Sequence, residues 1–219
     1  MESIPTHIET FNISGLQINL RIITDPEVLF DELLGKNPED LRVKDEQIPY
    51  WADLWPSSIA LSRYLVDNPV VKKQMNVLEL GCGLGLAGIV AGMLGGKITM
   101  TDYLPEAVDM ARQNSVLNNL TDVKFQVMDW RDPDISLSAD LILASDIAYE
   151  AKSFPQIIQA FSKLLNPGGK ILITEPNRSF AQSFHKALPG AGFLVASHKE
   201  LISFRGIDYK IHVHEVTIP

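Results

Sequence analysis

From Asn76 to the C-terminus, short apolar runs alternate with amphipathic segments, and this alternation restricts the fold more than any other feature of the chain. The runs fall at residues 76–80, 97–101, 123–127, 141–144 and 170–174, each separated from the next by an amphipathic segment. That is the mark of parallel strands covered on both sides by helices. Between the fourth and fifth runs Phe154, Ile157, Ile158, Phe161, Leu164 and Leu165 recur at helical spacing. Ser153 and Gln156 stand where a capping box would start that helix, and Asn166-Pro167-Gly168-Gly169 ends it. A further helix is expected over 179–188, followed by two strands near 193–198 and 208–217 that pair antiparallel. The predicted architecture is α/β: a three-layer, Rossmann-like sheet of seven strands with helices on both faces.

Ahead of this lie two β-branched and apolar stretches, 6–13 and 16–24, separated by Ser14-Gly15, which read as a small N-terminal β-hairpin. Residues 25–50 carry Pro26, Gly35, Pro38 and Pro49 among many charges and suggest one short helix and an irregular connection. The chain therefore divides into an extension, 1–50, and a domain, 51–219. Its 219 residues suffice for one continuous core.

Gly81, Gly83 and Gly85 directly follow the first sheet strand and precede a helical stretch from Leu86. Such a turn lets backbone approach a ligand closely and aims helix N-terminal amides at it, which implies a nucleotide-like cofactor. The string Gly83-Leu84-Gly85-Leu86-Ala87-Gly88 also spells the dinucleotide pattern G-x-G-x-x-G, but it starts two residues late for the strand end. Glu79, two residues before the first glycine, suits a cationic amino-acid cofactor better than a pyrophosphate. Asp102, about 20 residues on at the end of the next strand, is placed to accept ribose hydroxyls; its alternative role is a helix N-cap. Asp129-Trp130 follows the third strand, where a polar residue beside an indole suits adenine, or the Trp is simply core.

Together, Glu79-x-Gly81-x-Gly83-x-Gly85, Asp102, Asp129-Trp130 and Leu165-Asn166-Pro167-Gly168-Gly169-Lys170 resemble the class I, seven-strand S-adenosylmethionine-dependent methyltransferases over roughly residues 75 to 219. Two further segments narrow the resemblance. Trp55-Pro56-Ser57-Ser58-Ile59 is similar to the tryptophan-led helix start of the seven-strand protein lysine methyltransferases (methyltransferase family 16 type), and Ser145-Asp146-Ile147-Ala148-Tyr149 to their D-x-x-Y motif. The resemblance implies S-adenosylmethionine as cofactor, lined by Trp55, Gly81, Gly83, Asp102, Trp130 and Ser145. It also implies that Asp146 and Tyr149 face the methyl acceptor, a protein lysine. Glu175-Pro176-Asn177-Arg178 resembles the D-P-G-R segment of flavoprotein-directed members, with Glu for Asp and Asn for Gly. The same fold also serves small-molecule N- and O-methyltransferases, and an inactive binding module would keep the glycine turn.

Nineteen basic against 27 acidic residues, net −8, oppose a nucleic-acid substrate, as does the lack of the two prolines of [D/N]-P-P-[Y/F]. The one cysteine, Cys82, excludes an intrachain disulfide, and the start Met1-Glu2-Ser3 lacks a signal-peptide pattern. The most apolar region, 84–94, is shorter than the ~20 residues of a membrane span. A cytoplasmic location follows as the expectation. His7, His185, His198, His212 and His214 are scattered without evident partners, so no metal site is expected; His212 and His214 should share one face of the last strand. Without the other motifs, Asp146 reads as a helix cap and Tyr149 as sheet-edge packing.

Overall fold

The computed structural model describes residues 4–44, 47–176, 178 and 181–219. The hairpin consists of β1 (Thr6–Ile13) and β2 (Leu16–Ile23). Its two turn residues, Ser14 and Gly15, both have positive φ (46° and 95°), as in the tight turns whose twist matches that of the flanking strands. Two short helices follow where one was expected, α1 (Glu27–Leu34) and α2 (Leu41–Lys44), then a 3-10 turn at Tyr50–Ala52. Helix α3 (Pro56–Asp67) begins on a proline, whose missing N–H costs nothing in the first turn.

The domain continues as β3 (Asn76–Leu80), α4 (Leu86–Met93), β4 (Lys97–Asp102), α5 (Pro105–Leu117), β5 (Val123–Val127), β6 (Ala139–Ser145), α6 (Phe154–Leu164) and β7 (Leu165–Glu175). It ends with α7 (Ala181–Gly190), β8 (Leu194–Phe204) and β9 (Ile207–Thr217). The predicted start of α7 at Ser179 lies outside the described residues. Strand order is β5-β4-β3-β6-β7-β9-β8. All pairs from β5 to β7 are parallel, while β9 runs antiparallel to both β7 and β8. The order reverses between β3 and β6, so the loops leaving these adjacent strands diverge and open a crevice at their C-terminal ends.

Alternation along the strands divides the core into two layers. Val77, Leu141, Leu143 and Leu172 face the side packed by α3 and α4. Leu78, Leu80, Ile142, Ala144, Ile171 and Ile173 face Ile157, Phe161 and Leu164 of α6 and Phe184 of α7. Each such large apolar side chain removed from water stabilises the fold by ~1.5–3 kcal/mol before the entropy of ordering it is subtracted.

The capping box is not formed. Ser153 occupies the N-cap of α6 but makes no side-chain cap, because the 3-10 turn Ala151–Ser153 runs directly into the helix and holds Ser153 in a helical conformation (φ −88°, ψ −11°).

The hairpin docks through two buried or half-buried amides one helical turn apart, Asn114 of α5 and Asn118 at its C-cap. Asn114 Oδ1 accepts from Arg21 N (2.7 Å) and its Nδ2 donates to Arg21 O (3.3 Å). Asn118 repeats the pattern at Asn19, at 2.9 and 2.7 Å. The free edge of β2 thereby meets a mock strand built from side chains, which satisfies backbone groups that would otherwise be open for pairing. Asn114 Nδ2 also donates to Leu84 O (2.9 Å), tying the hairpin to the glycine turn.

Candidate active site

The crevice at the strand-order reversal is a cleft of about 530 Å³. It gathers residues from the C-terminal ends of β3, β4, β5, β6 and β7. Ten of the eleven site residues singled out in the sequence line it: Trp55, Gly81, Gly83, Gly85, Asp102, Asp129, Trp130, Ser145, Asp146 and Tyr149. Gln47, Ile48 and Tyr50 line it too, so the cleft draws on both sides of the expected division at residue 50.

Gly85 caps α4 at φ +83°, and a Cβ there would stand 3.0 Å from the Ala111 methyl, so a side chain would be both strained and crowded. Asp102 is not the N-cap of α5, a position held by Leu104. Its carboxylate instead accepts from Gly83 N (3.0 Å) and Leu104 N (3.2 Å), holding the glycine turn against the end of β4. Burial pushes the Asp102 carboxyl up to about 6, over the opposing effect of those two amides.

The eleventh residue, Glu79, departs from the expectation that it meets the cofactor. On β3 it shares the face of Val77 rather than that of Leu78 and Leu80, so its side chain turns inward onto α4. It is buried, and Oε2 accepts from Gly88 N at 3.0 Å. Gly88, which completed the late G-x-G-x-x-G pattern, serves this packing: a Cβ there would lie 2.5 Å from Glu79 Oε2. Burial pushes the Glu79 carboxyl up to about 8, over the Gly88 hydrogen bond and with a smaller push from Asp102. A carboxyl whose pKa is higher folded than unfolded stabilises the protein at low pH and loses that contribution as pH rises through about 8. Glu79→Gln keeps the acceptor for Gly88 and removes the titration. Between about pH 5 and about pH 9 the wild type should lose roughly 1 kcal/mol or more relative to the variant, read from denaturant midpoints; parallel pH profiles would contradict this.

Asp129 is tied to its neighbour: Arg131 Nε lies 2.7 Å from Oδ2 and Arg131 N donates to Oδ1 at 2.8 Å. Trp130 packs its partly buried ring against the α6 layer of the core. On the opposite wall Trp55 Nε1 donates to Tyr50 O (2.8 Å), and the Tyr50 ring meets those of Trp55 and Tyr149 edge-on, with centroids 6.1 and 5.2 Å apart.

Asp146 terminates β6 in the left-handed region (φ +55°), a conformation that aspartate tolerates better than most residues and that marks a constrained site. Its carboxylate is not free to act as a simple cation trap. Arg178 grips both oxygens, with Nη2 3.1 Å from Oδ2, and Ser57 Oγ donates to Oδ2 at 3.3 Å. Burial raises the Asp146 carboxyl pKa, and the Arg178 cation and the Ser57 hydroxyl oppose the rise. The Arg178 guanidinium also lies 5.8 Å from the Trp55 ring centroid, within cation–π range. Tyr50, Ser57 and the Arg178 pairing were missed in the sequence; the E-P-N-R segment was the one signal that pointed at Arg178, and its Asn177 lies outside the described residues.

The histidines also depart from expectation, since each has a polar neighbour. His7 reaches Thr24 (3.4 Å) and His198 reaches Glu215 (3.1 Å). His185, His212 and His214 converge on Glu175, with His212 and His214 on one face of β9 as anticipated.

A family profile described as lysine methyltransferase matches residues 36–188. The chain belongs to the lysine methyltransferase family. The electron transfer flavoprotein beta subunit lysine methyltransferase of Xenopus laevis is 35% identical over 133 residues, covering 60% of this chain and 54% of that protein. The histone-arginine methyltransferase METTL23 of Rattus norvegicus is 31% identical over 146 residues, covering 63% of this chain and 65% of its own. The chain thus matches less than two thirds of either relative's length. Among solved structures, magnesium protoporphyrin IX methyltransferase from Synechocystis PCC 6803 superposes with a TM-score of 0.58 at 17% identity, covering 88% of this chain and 91% of that one. At that identity the likeness concerns the fold alone. The match to the lysine methyltransferase family ends within α7, so β1, β2, β8 and β9 lie outside it. No helix among the described residues is long and apolar enough to cross a membrane.

Proposed function

We propose that the chain transfers a methyl group from S-adenosylmethionine to the side-chain amine of a protein lysine. The observation that carries this reading is the meeting, in one cleft, of the glycine turn and Asp102 with the Asp146–Arg178 pair and Tyr149. The turn at Gly81, Gly83 and Gly85 leaves backbone exposed to an adenosyl amino acid. Asp102 keeps lone pairs for ribose hydroxyls beyond those used by Gly83 and Leu104. Trp130, with Asp129 shaping the turn beside it, suits adenine, while Trp55 and Ser145 close the walls.

When bound, the sulfonium supplies an electrophilic methyl group. The chain's task is alignment and the management of one proton. A free lysine with a pKa near 10.4 is neutral to only ~0.1% near pH 7.4. A lone carboxylate would favour the charged form and oppose transfer. Asp146, already paired with Arg178, presents a largely compensated charge, so it orients the amine without strongly holding its proton, which leaves through water. The edge-on aromatic wall of Tyr50, Trp55 and Tyr149 completes the acceptor pocket.

Residues 1–50 form an extension in this reading, one that lends Tyr50 to the cleft of domain 51–219. A net charge of −8 disfavours nucleic acid as acceptor, and a single buried cysteine suits the cytoplasm. Calorimetric titration tests the cofactor: S-adenosylhomocysteine should bind at one equivalent and NAD not at all. Tight NAD binding with no response to S-adenosylhomocysteine would overturn the assignment.

A further inference from the structure

Glu175 at the end of β7, His185 on α7 and His214 on β9 form a cluster whose ligand-type atoms all lie within 4.8 Å of one another. It is buried: the side chains of Glu175 and His214 are 3% and 5% exposed and that of His185 16%. Glu175 Oε1 lies 3.5 Å from His185 Nε2 and 3.4 Å from His214 Nε2. Those separations match the roughly 3.3 Å edges of a tetrahedron with metal bonds of about 2.0–2.1 Å. His212, the cross-strand partner of Glu175, brings Nδ1 to 3.9 Å of the same oxygen.

Hydrogen bonding alone leaves this cluster incomplete. One carboxylate oxygen faces three imidazoles, and both ring nitrogens of His185 and Nε2 of His212 are buried without a hydrogen-bond partner. Orphaned buried nitrogens are costly, and each calls for a partner. The two best-placed groups are meanwhile oriented as ligands usually are. Ser197 Oγ engages His214 Nδ1 at 2.8 Å, leaving Nε2 to face Glu175. Arg178 N donates to Glu175 Oε2 at 3.2 Å, leaving Oε1 to face the histidines.

We propose that Glu175, His185 and His214 bind a divalent transition-metal ion of the zinc type. Imidazole with one carboxylate is a donor set for zinc and its first-row neighbours rather than for magnesium or calcium. The His185 and His214 rings now stack with centroids 3.7 Å apart, so His185, on the more exposed side of the cluster, splays when the ion enters. The site holds three protein donors and leaves the fourth position of a tetrahedral ion to water. It ties β7, α7 and β9 together immediately behind Arg178, the residue that grips Asp146. One of its donors, His214, lies beyond the segment matched by the family profile, so the matched region alone does not complete the site.

The test uses the full chain without a histidine tag, dialysed against a chelator and then titrated with zinc chloride by calorimetry. One equivalent should bind and raise Tm. Loading with cobalt(II) should give visible absorption bands of a four-coordinate site with nitrogen and oxygen donors. His185→Gln, at the most exposed ligand, should weaken zinc binding ~100-fold or more and abolish the Tm rise, because even a change outside the ligand set commonly costs ~10–100-fold. Glu175→Gln should act in the same direction; if it fails to fold, His185→Gln decides. Absence of saturable zinc binding in the wild type, or equal binding by wild type and His185→Gln, overturns the proposal. S-adenosylhomocysteine titration of the same samples reports separately on the cofactor reading.

Discussion

Asp146→Asn should lower methyl transfer by ~10²-fold or more while leaving affinity for S-adenosylhomocysteine within a few-fold of the wild type. The substitution removes charge and preserves shape, and asparagine accepts the left-handed backbone found at this position (φ +55°) as readily as aspartate. Arg178 loses its ionic partner, and the acceptor amine meets an uncompensated cation instead of a neutral pair. Cofactor affinity is spared because the glycine turn, Asp102 and Trp130 stand on the ends of β3, β4 and β5, and the substitution leaves Ser145 and Trp55 in place. Single-turnover transfer, measured beside cofactor titration, separates the outcomes. Transfer at the parental rate would reduce Asp146 to an anchor for Arg178 and Ser57. Parallel loss of cofactor affinity would move it into the cofactor's own shell.

Asp102→Ala should weaken cofactor binding by about 1.5–3 kcal/mol, roughly 10–150-fold in Kd, through loss of charged hydrogen bonds to the ribose. Part of the effect is indirect, since the same carboxylate holds the Gly83 amide and the Leu104 amide in place. The pH dependence separates this from a general loss of order. With the Asp102 carboxyl at about 6 in the free protein, wild-type affinity should fall as pH drops through that value, and the alanine variant should lack the inflection. A variant that unfolds while its remaining folded fraction binds normally would make Asp102 a structural brace and nothing more.

The fold was legible because short strand-forming runs separated by amphipathic segments carry a signal that survives without tertiary information. Residues 76–80 and 123–127 read as strands on composition and turn spacing and are β3 and β5 to the residue. The glycine turn was legible for the same reason, being a local backbone requirement. What escaped were pairings between residues far apart in the chain. Asn114 and Asn118 look like ordinary polar positions on a helix until β2, more than 90 residues earlier, supplies the edge they satisfy. The Arg178 grip on Asp146 spans 32 residues, and the histidines around Glu175 come from one helix and one strand that nothing local brings together. Glu79 is a different case. Strand alternation places it on the Val77 face, turned onto α4, although it stands only two residues before Gly81.

The most direct measurement is to incubate the protein with S-adenosylmethionine labelled in its methyl group and a lysate of its own source, then locate the label by mass spectrometry. The account predicts label on protein, on lysine Nζ, reduced ~10²-fold or more with Asp146→Asn. Label confined to arginine, to RNA or to a small-molecule fraction would contradict it.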